Sequence, residues 1–89
     1  MRRFADAKAS RLYEAPYATS VAKNVGTRAH TIIRLLVAAH TWQDVGIIGV
    51  IKCWLNAPDR YGLHVHGKWH IMFAWSEDFG AYDICFERR

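Results

Sequence analysis

The chain has 89 residues, enough for one domain that packs helices on a sheet and too few for a second. Apolar residues make up 52% and charged residues 22%, which excludes a disordered tail or a low-complexity arm. The formal net charge is +4, less than a dedicated DNA-binding module usually carries, and all of the surplus lies in residues 1–44.

The first half of the chain has the spacing of helices. Ala5–Glu14 is rich in good helix formers, which predicts a first helix with Phe4 packed against it. A second, longer helix is predicted from a cap at residues 19–20 to His40, because apolar residues recur there at three- and four-residue steps. Gly26 weakens that helix, so we expect its ordered part to begin just after this glycine.

After Asp44 the apolar spacing changes to that of strands. Four runs rich in β-branched and aromatic residues are separated by turn residues, which predicts an antiparallel meander. The predicted strands are Ile47–Trp54, Arg60–His66, Trp69–Trp75 and Ala81–Glu87. We therefore predict a single α+β domain over residues 1–89, with two N-terminal helices packed on one face of an antiparallel sheet of about four strands.

The second and third predicted strands alternate apolar and polar residues, and both apolar sets must face one core. A three-residue turn, His66–Lys68, satisfies this because it pairs Val65 with Trp69. The same register sets His64 directly across from His70 on the outer face, about 5 Å apart between Cβ atoms. In the last strand the alternation places Tyr82, Ile84 and Phe86 inward and Asp83, Cys85 and Glu87 outward.

Four strings follow one another along the chain: Arg-Phe-Ala-Asp at residues 3–6, the stretch 35–45, Lys-Trp-His-Ile-Met-Phe-Ala-Trp at 68–75, and Gly-Ala-Tyr-Asp-Ile at 80–84. Together with a short leading strand, two helices and a sheet, they resemble the HigB-type killer toxins of the RelE/ParE superfamily over nearly the whole chain. The resemblance implies a RelE-like fold. It also implies a type II toxin that cleaves messenger RNA in the ribosomal A site and is silenced by a cognate helix-turn-helix antitoxin.

The chain departs from that family at functional positions. HigB-like toxins usually read Asn-Trp-Arg-Ile or Gln-Trp-Arg-Ile, and His70 stands at the functional arginine. Only Asp59 and Arg60 remain of the usual Leu-Lys-Gly-Asp-Arg string, and Arg89 falls on the tyrosine that precedes the family's terminal histidine. The resemblance therefore supports a RelE-like fold more strongly than it supports the family's ribonuclease activity.

Cleavage of RNA without a metal needs a base for the 2′-hydroxyl, an acid for the 5′-oxygen and cations for the developing phosphorane charge. His64 and His70 can supply the acid and the base, because a close imidazole pair can hold one neutral and one protonated ring near neutral pH. This chemistry requires no cofactor. The side chains that can stabilise the charge or orient a histidine are Arg60, Arg88, Arg89 and Asp83.

Other interpretations of the same residues remain open. Polar residues alternate in this way on any open antiparallel sheet, and a metal site at His64, His66 and His70 is disfavoured because His66 falls in the turn. The alternative functions are a non-enzymatic ParE-like inhibitor of DNA gyrase and a degenerate toxin that keeps only antitoxin binding.

The composition also carries predictions about partners and compartment. No run approaches the roughly 18 apolar residues that cross a bilayer, so we expect a cytoplasmic protein with no membrane contact and with Cys53 and Cys85 as buried, reduced thiols. The basic residues expected to meet the antitoxin or ribosomal RNA are Arg11, Lys23, Arg28, Arg34 and Lys68.

Overall fold

A computed structural model describes residues 2–17, 21–54 and 57–88 of the chain. Over these residues the fold is α+β, as predicted, with an antiparallel sheet in the order β1-β2-β3-β4. The helices are α1 (Ala7–Glu14), α2 (Lys23–Ala38) and α3 (Trp42–Ile48), and the strands are β1 (Ile51–Trp54), β2 (Ala57–His66), β3 (Trp69–Ser76) and β4 (Gly80–Arg88).

Helix α1 begins at Ala7, two residues later than predicted, because Asp6 is its N-cap. The Asp6 carboxylate accepts a hydrogen bond from the Ala9 N–H at 2.7 Å, which satisfies a donor in the first turn. Its second oxygen accepts from the Phe86 N–H at 3.3 Å. One carboxylate therefore starts α1 and ties it to β4.

Helix α2 begins at Lys23, so the prediction that Gly26 delays the helix is wrong. The Gly26 N–H donates to the Ala22 carbonyl at 2.9 Å, as in a regular helix. A Cβ at this position would overlap the carbonyl oxygen of Pro16. Glycine is used here because the backbone of the preceding segment lies against the helix. The caps predicted at residues 19–20 lie outside the described residues.

Helix α3 was not predicted, and the strand predicted over Ile47–Trp54 begins only at Ile51. A capping box starts this helix: Thr41 Oγ1 accepts from the Asp44 N–H at 3.2 Å, and the Asp44 carboxylate accepts from the Thr41 N–H at 3.1 Å. Val45 of α3 is fully buried in the core. The capping box therefore starts a helix here, although the β-branched residues that follow it favour a strand.

The register of β2 and β3 agrees with the prediction at Leu63 and differs at the turn. Leu63 pairs with Ile71, but Trp69 pairs with His66 rather than with Val65. The turn contains two residues, 67 and 68, and the extra residue is absorbed as a bulge at Val65. Val65 is still buried, so the bulge solves the packing problem that a three-residue turn was expected to solve.

A second bulge in β4 changes which side chains face the core. Asp83 has a φ of 50°, and beyond it Tyr82 pairs with Ala74 and Ala81 pairs with Trp75. Ala81 is fully buried in the core, so the prediction that Tyr82 faces inward is wrong. The inserted residue reverses the alternation on the N-terminal side of the bulge.

The leading segment of the chain lies beside this bulge. Phe4 forms a parallel bridge with Ile84, as expected for a short leading strand. The Asp83 and Ile84 N–H groups donate to the carbonyls of Arg2 and Arg3 at 3.0 and 2.9 Å. The bulge therefore gives the first residues of the chain a place to pair.

The main core lies between the helices and one face of the sheet. Trp69 stacks on Phe86 with ring centroids 4.5 Å apart, and Trp42 packs edge-on against Tyr61 and Trp75. The largest fully buried side chains in this layer are Leu12, Ile33, Leu36, Leu63, Ile71, Phe73, Ile84 and Phe86. In the described part of the chain, no helix is both long enough and apolar enough to span a bilayer.

Candidate functional site

The sheet face opposite the helices carries a second buried group of side chains. His70 is 6% exposed, Met72 1% and Cys85 5%, although all three lie outside the main core. The alternation of β3 predicted an exposed His70, and the structure buries it instead. Polar groups buried in this way require hydrogen-bond partners, and those partners define the geometry of the site.

His64 and His70 lie on this face beside the β2–β3 turn, and their predicted pairing is confirmed. They are direct cross-strand neighbours in β2 and β3, with ring centroids 5.3 Å apart and planes inclined at 65°. His64 is exposed, whereas His70 is buried. A solute can therefore reach the His64 ring directly, whereas His70 Nε2 is buried.

The two-residue turn between β2 and β3 holds both rings. His64 Nε2 lies 2.9 Å from the Gly67 carbonyl oxygen, and His70 Nδ1 lies 3.0 Å from the Lys68 carbonyl oxygen. A carbonyl oxygen can only accept, so each ring donates an N–H from that nitrogen. In the neutral rings the lone pair then belongs to Nδ1 of His64 and to Nε2 of His70. The turn thus fixes both tautomers.

A second polar group lies around Arg60 on the same face. Arg60 Nη2 donates to the Asp83 carbonyl oxygen at 2.7 Å and to Cys85 Sγ at 3.3 Å. The Cys85 thiol donates in turn to Glu87 Oε1 at 3.2 Å. This chain of contacts fixes the guanidinium against β4.

The Cys85 thiol is poorly suited to nucleophilic or redox chemistry. Burial, with a smaller effect from the neighbouring Glu87 carboxylate, raises the pKa of Cys85 to about 12. The thiolate, which is the reactive form, is therefore scarce near neutral pH. Cys85 acts here as a hydrogen-bond link between Arg60 and Glu87.

The other predicted site residues are placed apart from the histidine pair. The Asp83 carboxylate accepts from Arg2 Nε at 2.9 Å. Arg88 pairs across the sheet with Trp69, which puts it on the helix-bearing face. Arg89 lies outside the described residues.

Glu87 was not included in the predicted site. The register places it directly across from His70. Its outward position in the alternation of β4 was the only sequence signal that could have singled it out. Among the described residues, no three His, Cys, Asp or Glu side chains are grouped in a way that could hold a metal ion.

The predicted basic surface divides into separate patches. Arg34 donates to the Tyr13 carbonyl at 3.3 Å and lies over the Tyr13 ring, on the α1 side of α2. Lys23 and Arg28 instead line a groove of about 800 Å³ that runs along α2 to Ile48. Exposed Arg11 lies in the last turn of α1, and exposed Lys68 lies in the β2–β3 turn.

Comparisons with protein-family models, with curated proteins and with solved structures found no match to this chain. The assignment of function therefore rests on the geometry described above and on the sequence resemblance.

Proposed function

We propose that this chain is a cytoplasmic, HigB/RelE-like toxin of a type II toxin-antitoxin system that inhibits translation by cleaving messenger RNA on the ribosome. The observation that carries the proposal is the His64–His70 pair, because two cross-strand imidazoles with fixed tautomers are suited to acid-base chemistry on a phosphodiester. The resemblance of the ordered sequence strings to HigB-type toxins supports the same assignment, including a helix-turn-helix antitoxin as partner.

In the proposed reaction one neutral imidazole accepts the proton of the RNA 2′-hydroxyl as the 2′-oxygen attacks phosphorus. The bond from phosphorus to the 5′-oxygen breaks, and the protonated imidazole gives its proton to that oxygen. The products are a 2′,3′-cyclic phosphate and a 5′-hydroxyl. No metal or other cofactor takes part in these steps.

Charged side chains on the same face support the pair. Arg60 places a guanidinium on the outer face of the sheet, where positive charge stabilises the phosphorane. Glu87, across from His70, is positioned to stabilise the protonated ring. Arg60 and Glu87 therefore act as positioning and electrostatic residues in this proposal.

Induced expression followed by mapping of transcript 5′ ends tests the function in cells. Cuts linked to codons, together with arrested translation, are the expected result. DNA damage without cuts would instead support a ParE-like inhibitor of DNA gyrase. Normal growth would support a degenerate toxin, an alternative favoured by the burial of His70.

Variants that keep the hydrogen bonds of the rings test the chemistry itself. In His64→Gln and His70→Asn an amide N–H can still donate to Gly67 and Lys68, but the side chain cannot transfer a proton. We expect each variant to lower the rate of cleavage in EDTA by about 10²- to 10⁴-fold. The double variant should be little slower than the slower single variant, because the rings act as a unit.

His66→Ala is the matched control, since His66 is an exposed histidine in the same strand whose register places it on the other face. It should cleave at the rate of the unmodified chain. Normal rates in His64→Gln and His70→Asn would contradict the acid-base assignment.

A further inference from the structure

A second cavity opens at the free edge of the sheet, next to the histidine pair. Strand β1 is an edge strand, and its first pair with β2 is Ile51 with Leu63. Strand β2 continues to His66, so His64 lies just beyond the end of β1. The cavity has a volume of about 330 Å³ and lies between this point and helix α2. That volume is within the range of small-molecule sites in proteins.

Three of the residues that line this cavity carry basic side chains, and the others are apolar residues or glycine. Arg28 from α2, Lys52 from β1 and His64 from β2 all contribute to its wall. No acidic side chain lines it among the described residues. Two cationic side chains and one imidazole, from three different elements, therefore line one space, an arrangement that suits a phosphate better than a neutral group.

The cavity continues into the larger groove along α2. Arg28, Ile32 and Ile48 line both spaces, and Lys23 lies on the wall of the groove. The two spaces together, called the trench below, are lined by the basic side chains of Lys23, Arg28 and Lys52 and by apolar side chains that include Ile32 and Ile48. A single nucleic-acid strand presents the same pattern, with phosphates at intervals and bases between them.

We propose that the cavity formed by Arg28, Lys52 and His64 binds a backbone phosphate of single-stranded RNA beside the bond that the histidine pair cleaves. This inference rests on the proposed function for the identity of the nucleic acid and extends it by a phosphate subsite. Arg28 can bind two phosphate oxygens at once, whereas Lys52 contributes a point charge. His64 belongs both to this cavity and to the pair, so binding here places a neighbouring phosphodiester at the rings.

Binding of a short 2′-O-methyl RNA oligonucleotide, followed by fluorescence anisotropy, tests the subsite without any cleavage. The 2′-hydroxyl is blocked, so binding is measured whether or not the chain is a nuclease. We expect Arg28→Gln and Lys52→Gln each to weaken binding by about tenfold and to lower the slope of log K against log salt by about 1. Both side chains are exposed, so the substitutions leave the core intact.

Lys8→Gln is the matched control, because it removes the same charge from an exposed position on α1, over the Trp69 ring and away from the trench. It should retain binding within about twofold. In NMR spectra the His64 ring signals should move when the oligonucleotide is added, and those of His30, which contacts the Leu12 carbonyl on the α1 side, should not.

Equal losses in all three variants would overturn the subsite, as would no binding by the unmodified chain. Binding of an acidic amphipathic peptide that depends on Arg28, with no binding of the oligonucleotide, would assign the trench to a protein partner and also overturn it. Oligonucleotide binding that depends on Arg28 and Lys52 in a chain that cuts no transcripts would support the subsite and contradict the nuclease.

Discussion

The two cysteines differ in burial and therefore in the reactivity of their thiols. Cys85 is buried as predicted and has its pKa raised to about 12, whereas the prediction that Cys53 is buried is wrong, because it is exposed on β1. We expect iodoacetamide at neutral pH to alkylate Cys53 and to leave Cys85 unmodified, because only the thiolate reacts. Mass spectrometry of the peptides checks this, and labelling in denaturant should modify both. Equal labelling of the folded chain at the two sites would contradict the buried position of Cys85.

His70→Arg restores the residue that the resembled toxins carry and tests how the ring is used. Arginine stays charged at any working pH and cannot exchange a proton, whereas histidine can. If His70 titrates during cleavage, the acid limb of the pH-rate profile should flatten in the variant, measured from about pH 5 to about pH 8. A thermal melt controls for folding, because His70 is buried. An unchanged profile would remove His70 from the proton transfer.

Part of this site could be predicted from residues alone. The alternation of β2 and β3 was sufficient to pair His64 with His70. The contacts of Arg60 with the Asp83 carbonyl and Cys85 were missed. These contacts depend on the bulge in β4 at Asp83. A single Asp within a strand is a weak sequence signal that its backbone adopts the left-handed conformation.

Two glycines in helices should respond in opposite ways to substitution by alanine. At Gly26 of α2 the new methyl group would overlap the Pro16 carbonyl, which should lower the free energy of unfolding by about 1 to 3 kcal/mol. At Gly46 of α3 nothing lies within 4 Å of the new Cβ. There the higher helix propensity of alanine should raise the free energy of unfolding by up to about 1 kcal/mol.

Urea denaturation of the Gly26→Ala and Gly46→Ala variants measures both changes. Gly46→Ala serves as the control for helix propensity, since it introduces the same methyl group without the neighbouring backbone. Stabilisation by both substitutions would show that the segment around Pro16 does not lie against α2 in solution.

Helix α3 should lose stability in acid through its cap. Hydrogen bonds from the His40 and Thr41 N–H groups hold the pKa of Asp44 below its ordinary value of 3.8. The ionised carboxylate is the favoured form in the folded chain. Its contribution is therefore present above that ordinary value and is lost as pH falls through the lowered pKa.

Asp44→Ala should thus reduce the Tm near neutral pH and have no effect in strong acid. Asp78→Ala is the control, because Asp78 is an exposed carboxylate in the β3–β4 turn. Thermal melts across acid pH check the prediction. A Tm difference that persists below the lowered pKa would show that the Asp44 charge is not what stabilises the cap.

At the scale of elements, the period of apolar residues was sufficient for α1, α2 and three strands, but it failed between residues 41 and 50. Ile47 and Ile48 are β-branched, and their composition favoured a strand. The Thr41-x-x-Asp44 spacing starts α3 and is the local sequence signal that favours a helix there. Short helices have too few residues for a clear period, so caps carry more information there.

At the scale of the molecule, the change of period near Asp44 was enough to predict helices followed by a sheet. It could not show how the two halves meet. The trench lies where the two halves contact each other, since Arg28 comes from the helical half and Lys52 and His64 come from the sheet. The positive charges of residues 1–44 therefore lie in separate patches on the folded chain. Lys52 and His64, from the second half of the chain, complete the patch that contains Arg28.

The pairing of the leading segment with β4 also sets an order of events during synthesis. Arg2 and Asp83 are 81 residues apart, and Asp6 reaches Phe86 across a similar distance in sequence. A nascent chain can form α2 and the first strands before β4, with which its earliest residues pair, has been synthesised. Contacts between such distant residues close late, since loop entropy opposes them until the rest is in place. Arg60 depends on the same last strand. The outer face therefore takes its final form only after residues 83–87 have left the ribosome.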